Sequence, residues 1–217
     1  MAFLEDAVNR GKVVGKKTKL KAGLLLLDRN IQTRKKQFGV DLYDALQEIT
    51  CQQDFYATTD KTIASIRPLL LETDREIRAL DGKKLRRKGD LDLAEAVRRE
   101  AFPIPATNWK EKTANAGKST KMAANEAKLK IGLNAIQTQM YVYKETFGLK
   151  MYIVLEDLFG AFCQPLEVHC STDEVINKIR GGYSICKDDI MVIQRKKKEK
   201  LALIDKLDVE ASLRRIG

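Results

Sequence analysis

Apolar residues recur at spacings of three, four and seven along Leu20, Leu24, Leu27, Ile31, Phe38, Leu42, Leu46 and Ile49. Such spacing keeps returning to one side of a helix, so it predicts an amphipathic helix over roughly residues 16–50. Asp28, Arg29, Arg34, Lys35 and Lys36 fall mostly off that stripe. The same stripe is drawn a second time by Leu129, Leu133, Ile136, Met140, Phe147, Met151, Leu155 and Leu158. A second pattern begins at Thr59-Asp60 and runs through Ile63, Ile66, Leu70, Thr73, Ile77 and Leu80. Its echo begins at Thr172-Asp173 and runs through Ile176, Ile179, Tyr183, Cys186, Ile190 and Ile193.

The two stripes agree residue by residue. Lys19-Leu20-Lys21, Gly23-Leu24, Lys35, Phe38-Gly39 and Tyr43 return 109 residues later as Lys128-Leu129-Lys130, Gly132-Leu133, Lys144, Phe147-Gly148 and Tyr152. From Thr59 onward the offset becomes 113, as a four-residue loop insertion allows. An internal duplication with a unit of roughly 75 residues follows, a period longer than that of the short solenoid repeats. The predicted organisation is a first repeat over 15–88, a linker with a short helix over 89–123, a second repeat over 124–201 and a helical tail over 202–217.

Within each repeat the pattern predicts a long helix followed by a second one. Thr or Asp before an apolar-periodic run marks a helix start, because its side-chain oxygen accepts an otherwise unpaired backbone N–H. Ser171-Thr172-Asp173-Glu174 also offers a capping box. Pro68 and Gly181-Gly182 interrupt the second helices just after the shared Ile-Arg, yet the seven-residue phase runs through both breaks. A kink or short corner is expected there. Gly23, Gly39, Gly132 and Gly148 each cost about 1 kcal/mol inside a helix. Their recurrence in both copies predicts close approach of a neighbouring helix, with a helix end at Phe-Gly as the competing explanation. Asp90–Ala101 reads as the linker's short helix. Phe102-Pro103-Ile104-Pro105 is a stiff connection, since neither Pro nor its predecessor favours helix.

Composition supports helices over sheets, because Lys, Glu, Leu and Ala abound while aromatics are only 6% and prolines number four. The fold expected is all-α, an elongated antiparallel bundle of two tandem helical-hairpin units, with sequence neighbours pairing inside each hairpin. Four cysteines without a CxxC pair argue for a reducing compartment. The longest apolar runs are too short to span a bilayer. Met1-Ala2-Phe3-Leu4 meets Glu5 and Asp6 at once, unlike a signal peptide. The chain is expected in the cytoplasm, with peripheral membrane attachment as an option.

Most candidate chemistry fails on spacing. Gly11–Thr18 has one residue too few between its glycines for a phosphate loop, and Gly117-Lys118-Ser119 lacks the first glycine. Cys163, His169, Cys170 and Cys186 do not match structural zinc spacing, and no third group orients a Cys-His pair. No cofactor and no enzymatic activity are expected.

Charge changes the picture. A net charge of +10 could be spread evenly, but here it is blocked. Lys83, Lys84, Arg86, Arg87 and Lys88 place five cations in six residues. At the equivalent place in the second repeat stand Arg195, Lys196, Lys197, Lys198 and Lys200. A third block, Lys12, Lys16, Lys17, Lys19 and Lys21, opens the first stripe. Cations at helix ends and on helical faces are ordinary, but blocks this dense exceed what a helix end needs. The reading is a helical scaffold or adaptor whose basic blocks dock on an anionic membrane face. An acidic protein partner would use the same blocks. A nucleic-acid-associated helical protein is the alternative, weakened by the few aromatics among the cations. A subunit of a larger assembly is a further option, and the heptad-like faces would serve a homo-oligomer as readily as an internal core.

Overall fold

A computed structural model describes residues 2–47, 61–101, 109–159 and 174–216, with side chains over 11–47, 62–101, 116–159 and 174–213. The described residues form four α-helices and no strand: α1 Ala2–Gln47, α2 Lys61–Ala101, α3 Trp109–Phe159 and α4 Glu174–Ile216. The protein is all-α. Helices α2 and α4 start at the same repeat position, directly after Asp60 and Asp173. The caps themselves lie outside the described residues, as does the connection at 102–108.

Neither breaker ends a helix. Pro68 lies inside α2 and Gly181-Gly182 inside α4. The missing Pro68 N–H costs one backbone bond, but Ile66 and Leu70 on either side are 0% and 2% exposed and hold the segment to the core. The separate short helix expected at Asp90–Ala101 is instead the last stretch of α2. Its heptad continues from Leu80 through Lys84, Arg87, Leu91 and Ala94 without a phase change. Likewise Phe38-Gly39 and Phe147-Gly148 are not helix ends, since both sit well inside α1 and α3.

Burial follows the two stripes. Phe38, Leu42, Tyr43 and Leu46 are buried, and so are their counterparts Phe147, Met151, Tyr152 and Leu155. Ile63, Ile66, Leu70, Thr73 and Ile77 are buried together with Ile176, Ile179, Tyr183, Cys186 and Ile190. The same repeat positions therefore leave water in both copies.

The chain divides into two compact units, Met1–Ser65 with Gly148–Gly217, and Ile66–Phe147. In the first unit α1 packs along α4. The pairing is antiparallel and runs through Lys17 with Asp208, Asp28 with Lys197 at 2.6 Å and Arg34 with Asp189 at 2.7 Å. The stretch expected as a C-terminal tail is thus part of one helix of this pair, and Ile204 within it is buried. In the second unit α2 and α3 are tied by Arg98–Glu126 at 2.9 Å and Lys130–Glu95 at 3.0 Å. These ion pairs join helices of different repeats, so they do not trace the pairing expected within each hairpin. The reason is connection length: only 102–108 separates α2 from α3, and short connections make antiparallel neighbours.

The four shared glycines lie at helix contacts. A Cβ on Gly148 would stand 2.5 Å from the Gly39 nitrogen and 2.6 Å from the Lys35 carbonyl oxygen, so α1 and α3 touch backbone to backbone there. Gly39 and Gly148 are each other's counterparts. At Gly23 the Lys200 side chain crosses the helix surface, and at Gly132 its counterpart Arg87 does so. Two glycines admit a backbone, and two admit a long cation.

Candidate anion-binding surface

The heptad register sorts the predicted cations into inward and outward sets. Lys17, Lys84, Arg87, Lys197 and Lys200 occupy seam positions and are only partly exposed. Their long stems lie along the neighbouring helix while the charged head reaches out. Lys17 pairs with Asp208 and Lys197 with Asp28, while Lys200 crosses Gly23. Arg87 crosses Gly132 in the same manner. The remaining predicted residues, Lys16, Lys19, Lys21, Lys83, Arg86, Lys88, Arg195, Lys196 and Lys198, are exposed.

Folding brings two of the three blocks together. Because α1 and α4 run antiparallel, Lys200 meets Gly23, directly after Lys19 and Lys21. The Lys16–Lys21 and Arg195–Lys200 blocks therefore adjoin on one helix pair. The Lys83–Lys88 block belongs to the second unit and meets α3 at Gly132. Lys128 and Lys130 stand beside it, the counterparts of Lys19 and Lys21. They were absent from the predicted set although the 109-residue offset points to them. Lys130 is engaged by Glu95 at 3.0 Å, and Lys128 is exposed.

Charge is least balanced on α1. Between Gly11 and Gln37 it carries nine cations, Lys12, Lys16, Lys17, Lys19, Lys21, Arg29, Arg34, Lys35 and Lys36, against the single acid Asp28. That acid is already taken by Lys197. By contrast α2 flanks its block with Asp81, Asp90 and Asp92.

The densest polar cluster in the first unit is structural in character. Tyr183 donates its hydroxyl proton to Glu156 Oε2 at 2.5 Å, Lys187 lies 3.7 Å from the same carboxylate, and the Lys35 ammonium sits 4.1 Å from the Tyr152 ring centre. Burial pushes the Glu156 carboxyl up, but the Tyr183 hydroxyl, Lys187, the Tyr152 hydroxyl and Lys35 together hold it below its ordinary value. Burial, reinforced by Glu156, drives the Tyr152 and Tyr183 hydroxyls well above theirs. Cys186 is fully buried, and burial raises its thiol to about 11, so it is a poor nucleophile at neutral pH. Glu156, Tyr152, Tyr183 and Cys186 are thus each pushed further toward their ordinary neutral-pH form, which suits packing.

The phosphate-loop resemblances dissolve in the fold. Gly11–Thr18 lies within α1 and Gly117-Lys118-Ser119 within α3, where backbone N–H groups are engaged by the preceding turn. Thr18 and Thr120 turn their hydroxyls back to the carbonyls of Val14 and Ala116. Cys163, His169 and Cys170 lie outside the described residues. Among the described residues no group of three His, Cys, Asp or Glu side chains is placed to hold a metal, and no helix is long and apolar enough to cross a membrane. No family model, no curated protein and no solved structure matches the chain.

Proposed function

We propose that this protein is a non-enzymatic helical scaffold that docks on an anionic membrane face. The observation that carries the reading is the nine-to-one excess of cations over acid along Gly11–Gln37 of α1. A coiled-coil pair needs complementary charge only along its flanks, and α4 supplies it at Asp189 and Asp208. Lys12, Lys16, Lys19, Lys21 and Arg29 remain exposed and form no ion pair among the described residues. Each such cation brought near an acidic leaflet contributes about 1 kcal/mol. Five of them suffice for salt-sensitive attachment. A long, stiff helix pair presents these charges over several turns, as a flat lipid surface requires.

The test is co-sedimentation with vesicles of phosphatidylcholine alone or with phosphatidylserine, at low and physiological salt, with RNA as competitor. Binding restricted to acidic vesicles and resistant to RNA is expected. Binding that RNA removes at once would replace this reading with a nucleic-acid one, and no vesicle binding at low salt would end it.

A further inference from the structure

The run Leu24-Leu25-Leu26-Leu27 is divided by the heptad register. Leu24 and Leu27 are seam residues, half-buried against α4. Leu25 and Leu26 point the opposite way and are 67% and 58% exposed. At 100° per residue they flank the outer midline of α1, with Ala22 one turn before and Arg29 one turn after. Lys21 lies one turn before Leu25 on one flank of that midline, and Lys19 two turns before Leu26 on the other. Leu25 and Leu26 are neighbours on the outer side of α1, and Lys19, Lys21 and Arg29 around them form no ion pair among the described residues.

We infer that Leu25 and Leu26 are the hydrophobic contact of this protein with an acidic bilayer. Their side chains enter the interfacial layer while Lys19, Lys21 and Arg29 hold the lipid headgroups. This rests on the membrane reading above and adds which helix face makes the contact. The occupant follows from charge: a patch of two leucines inside a cationic ring matches a surface that is apolar in depth and anionic at its rim. The predicted basic blocks are weaker candidates for the same role. Leu85, in the midst of Lys83–Lys88, is 65% exposed, but its helix neighbours include Asp81 and Asp92, which repel an acidic headgroup. In the second copy Leu25 and Leu26 are replaced by Asn134 and Ala135, and the apolar residue exposed beside Lys128 and Lys130 is the single Ile131 at 69%. Cationic attraction alone fades as salt screens it, whereas leucine insertion does not. The inserted pair therefore supplies the part of binding that persists at physiological salt.

The experiment compares the full chain with L25S/L26S and with L85S, titrating vesicles of phosphatidylcholine and phosphatidylserine at two salt concentrations. Circular dichroism confirms that each variant keeps its helices. The expected result is a fall of about tenfold or more in the physiological-salt partition coefficient of L25S/L26S, with L85S unchanged. A second readout uses L25W in a W109F background. Its emission should shift to the blue on adding acidic vesicles and be quenched by brominated acyl chains. Wild-type binding with an unaffected L25S/L26S, or an unshifted L25W, overturns the insertion and leaves electrostatic docking standing. Absence of wild-type binding overturns both. A blue shift of L25W without lipid, together with dimers in sedimentation, overturns the insertion in favour of a second copy as the occupant.

Discussion

Replacing Gly148 by alanine adds one methyl group to the middle of α3. In an isolated helix that change is favourable by about 1 kcal/mol, because glycine loses more backbone freedom than any other residue. Here the new Cβ would lie 2.5 Å from the Gly39 nitrogen and 2.6 Å from the Lys35 carbonyl oxygen, about 1 Å inside ordinary contact. The obstacles are backbone atoms of α1, so no side chain can swing aside. The helices must separate, which loosens Phe38, Tyr43 and Met151, all at most 3% exposed. Overpacking of a tight core costs about 1–3 kcal/mol, and a backbone obstacle belongs at the upper end. Net of the helix gain, G148A should lose about 1–2 kcal/mol. Glycines with open surroundings provide the opposite control. Nothing lies within 4 Å of a Cβ at Gly15, Gly82 or Gly117, so alanine there should gain about 0.4–1 kcal/mol. Gly132 is intermediate, because the obstacle is the flexible end of Arg87. The assay is urea unfolding followed by circular dichroism, or thermal melting, where each kcal/mol moves Tm by about 2–4 °C. A G148A protein as stable as G15A would refute the backbone contact.

Other expectations follow from the same packing. F38A and F147A remove counterpart rings that are 3% and 1% exposed, and each should destabilise by about 3–5 kcal/mol in denaturant unfolding; a negligible loss at both would refute their role in the core. Y183F removes the hydroxyl donor to Glu156 and should cost about 1 kcal/mol at neutral pH, discounted because that carboxylate is 44% exposed. The Glu156 pKa is lowered by folding, so its contribution is full above its ordinary value of 4.5 and is lost as pH falls through the folded value; the stability gap between wild type and Y183F should close in acid, and a gap independent of pH would refute the pairing. Cys186, in a chain whose other cysteines are serine, should react with a thiol reagent at pH 8 far more slowly than after unfolding, whereas equal rates would contradict its burial.

The glycines were legible because the chain states them twice. One Gly in a helical pattern has many explanations, but Gly23, Gly39, Gly132 and Gly148 recur in register, and all four prove to be sites of close approach. The paired stripes likewise named the buried positions, from Phe38 and Phe147 to Thr73 and Cys186. Helix partners were not legible in the same way. A seven-residue stripe says that one face is covered, not by which helix. The charges that pair α1 with α4, Lys17 with Asp208 and Arg34 with Asp189, are separated by more than 150 residues and carry no local signal. The expected linker helix at Asp90–Ala101 is instead the continuation of α2. The heptad phase through Arg87, Leu91 and Ala94 was the better guide.

The same phase decides how charge should be counted. Read as a string, Arg195–Lys200 is a block of five cations and one acid. Folded, Lys197 and Lys200 belong to the seam, where one neutralises Asp28 and the other crosses Gly23. Arg195, Lys196 and Lys198 are what the block offers to a partner. On α1 the seam claims Lys17 and Arg34, and Lys12, Lys16, Lys19, Lys21 and Arg29 stay exposed, with Asp28 the one acid between Gly11 and Gln37. The density of a basic run is therefore a poor measure of the surface it makes. What counts is the charge left after the heptad has taken its share, and by that measure the α1 block, the least conspicuous of the three in the sequence, keeps four exposed cations, Lys12, Lys16, Lys19 and Lys21, against three in each of the others. The same helix exposes the adjacent pair Leu25 and Leu26, on which the insertion proposal rests.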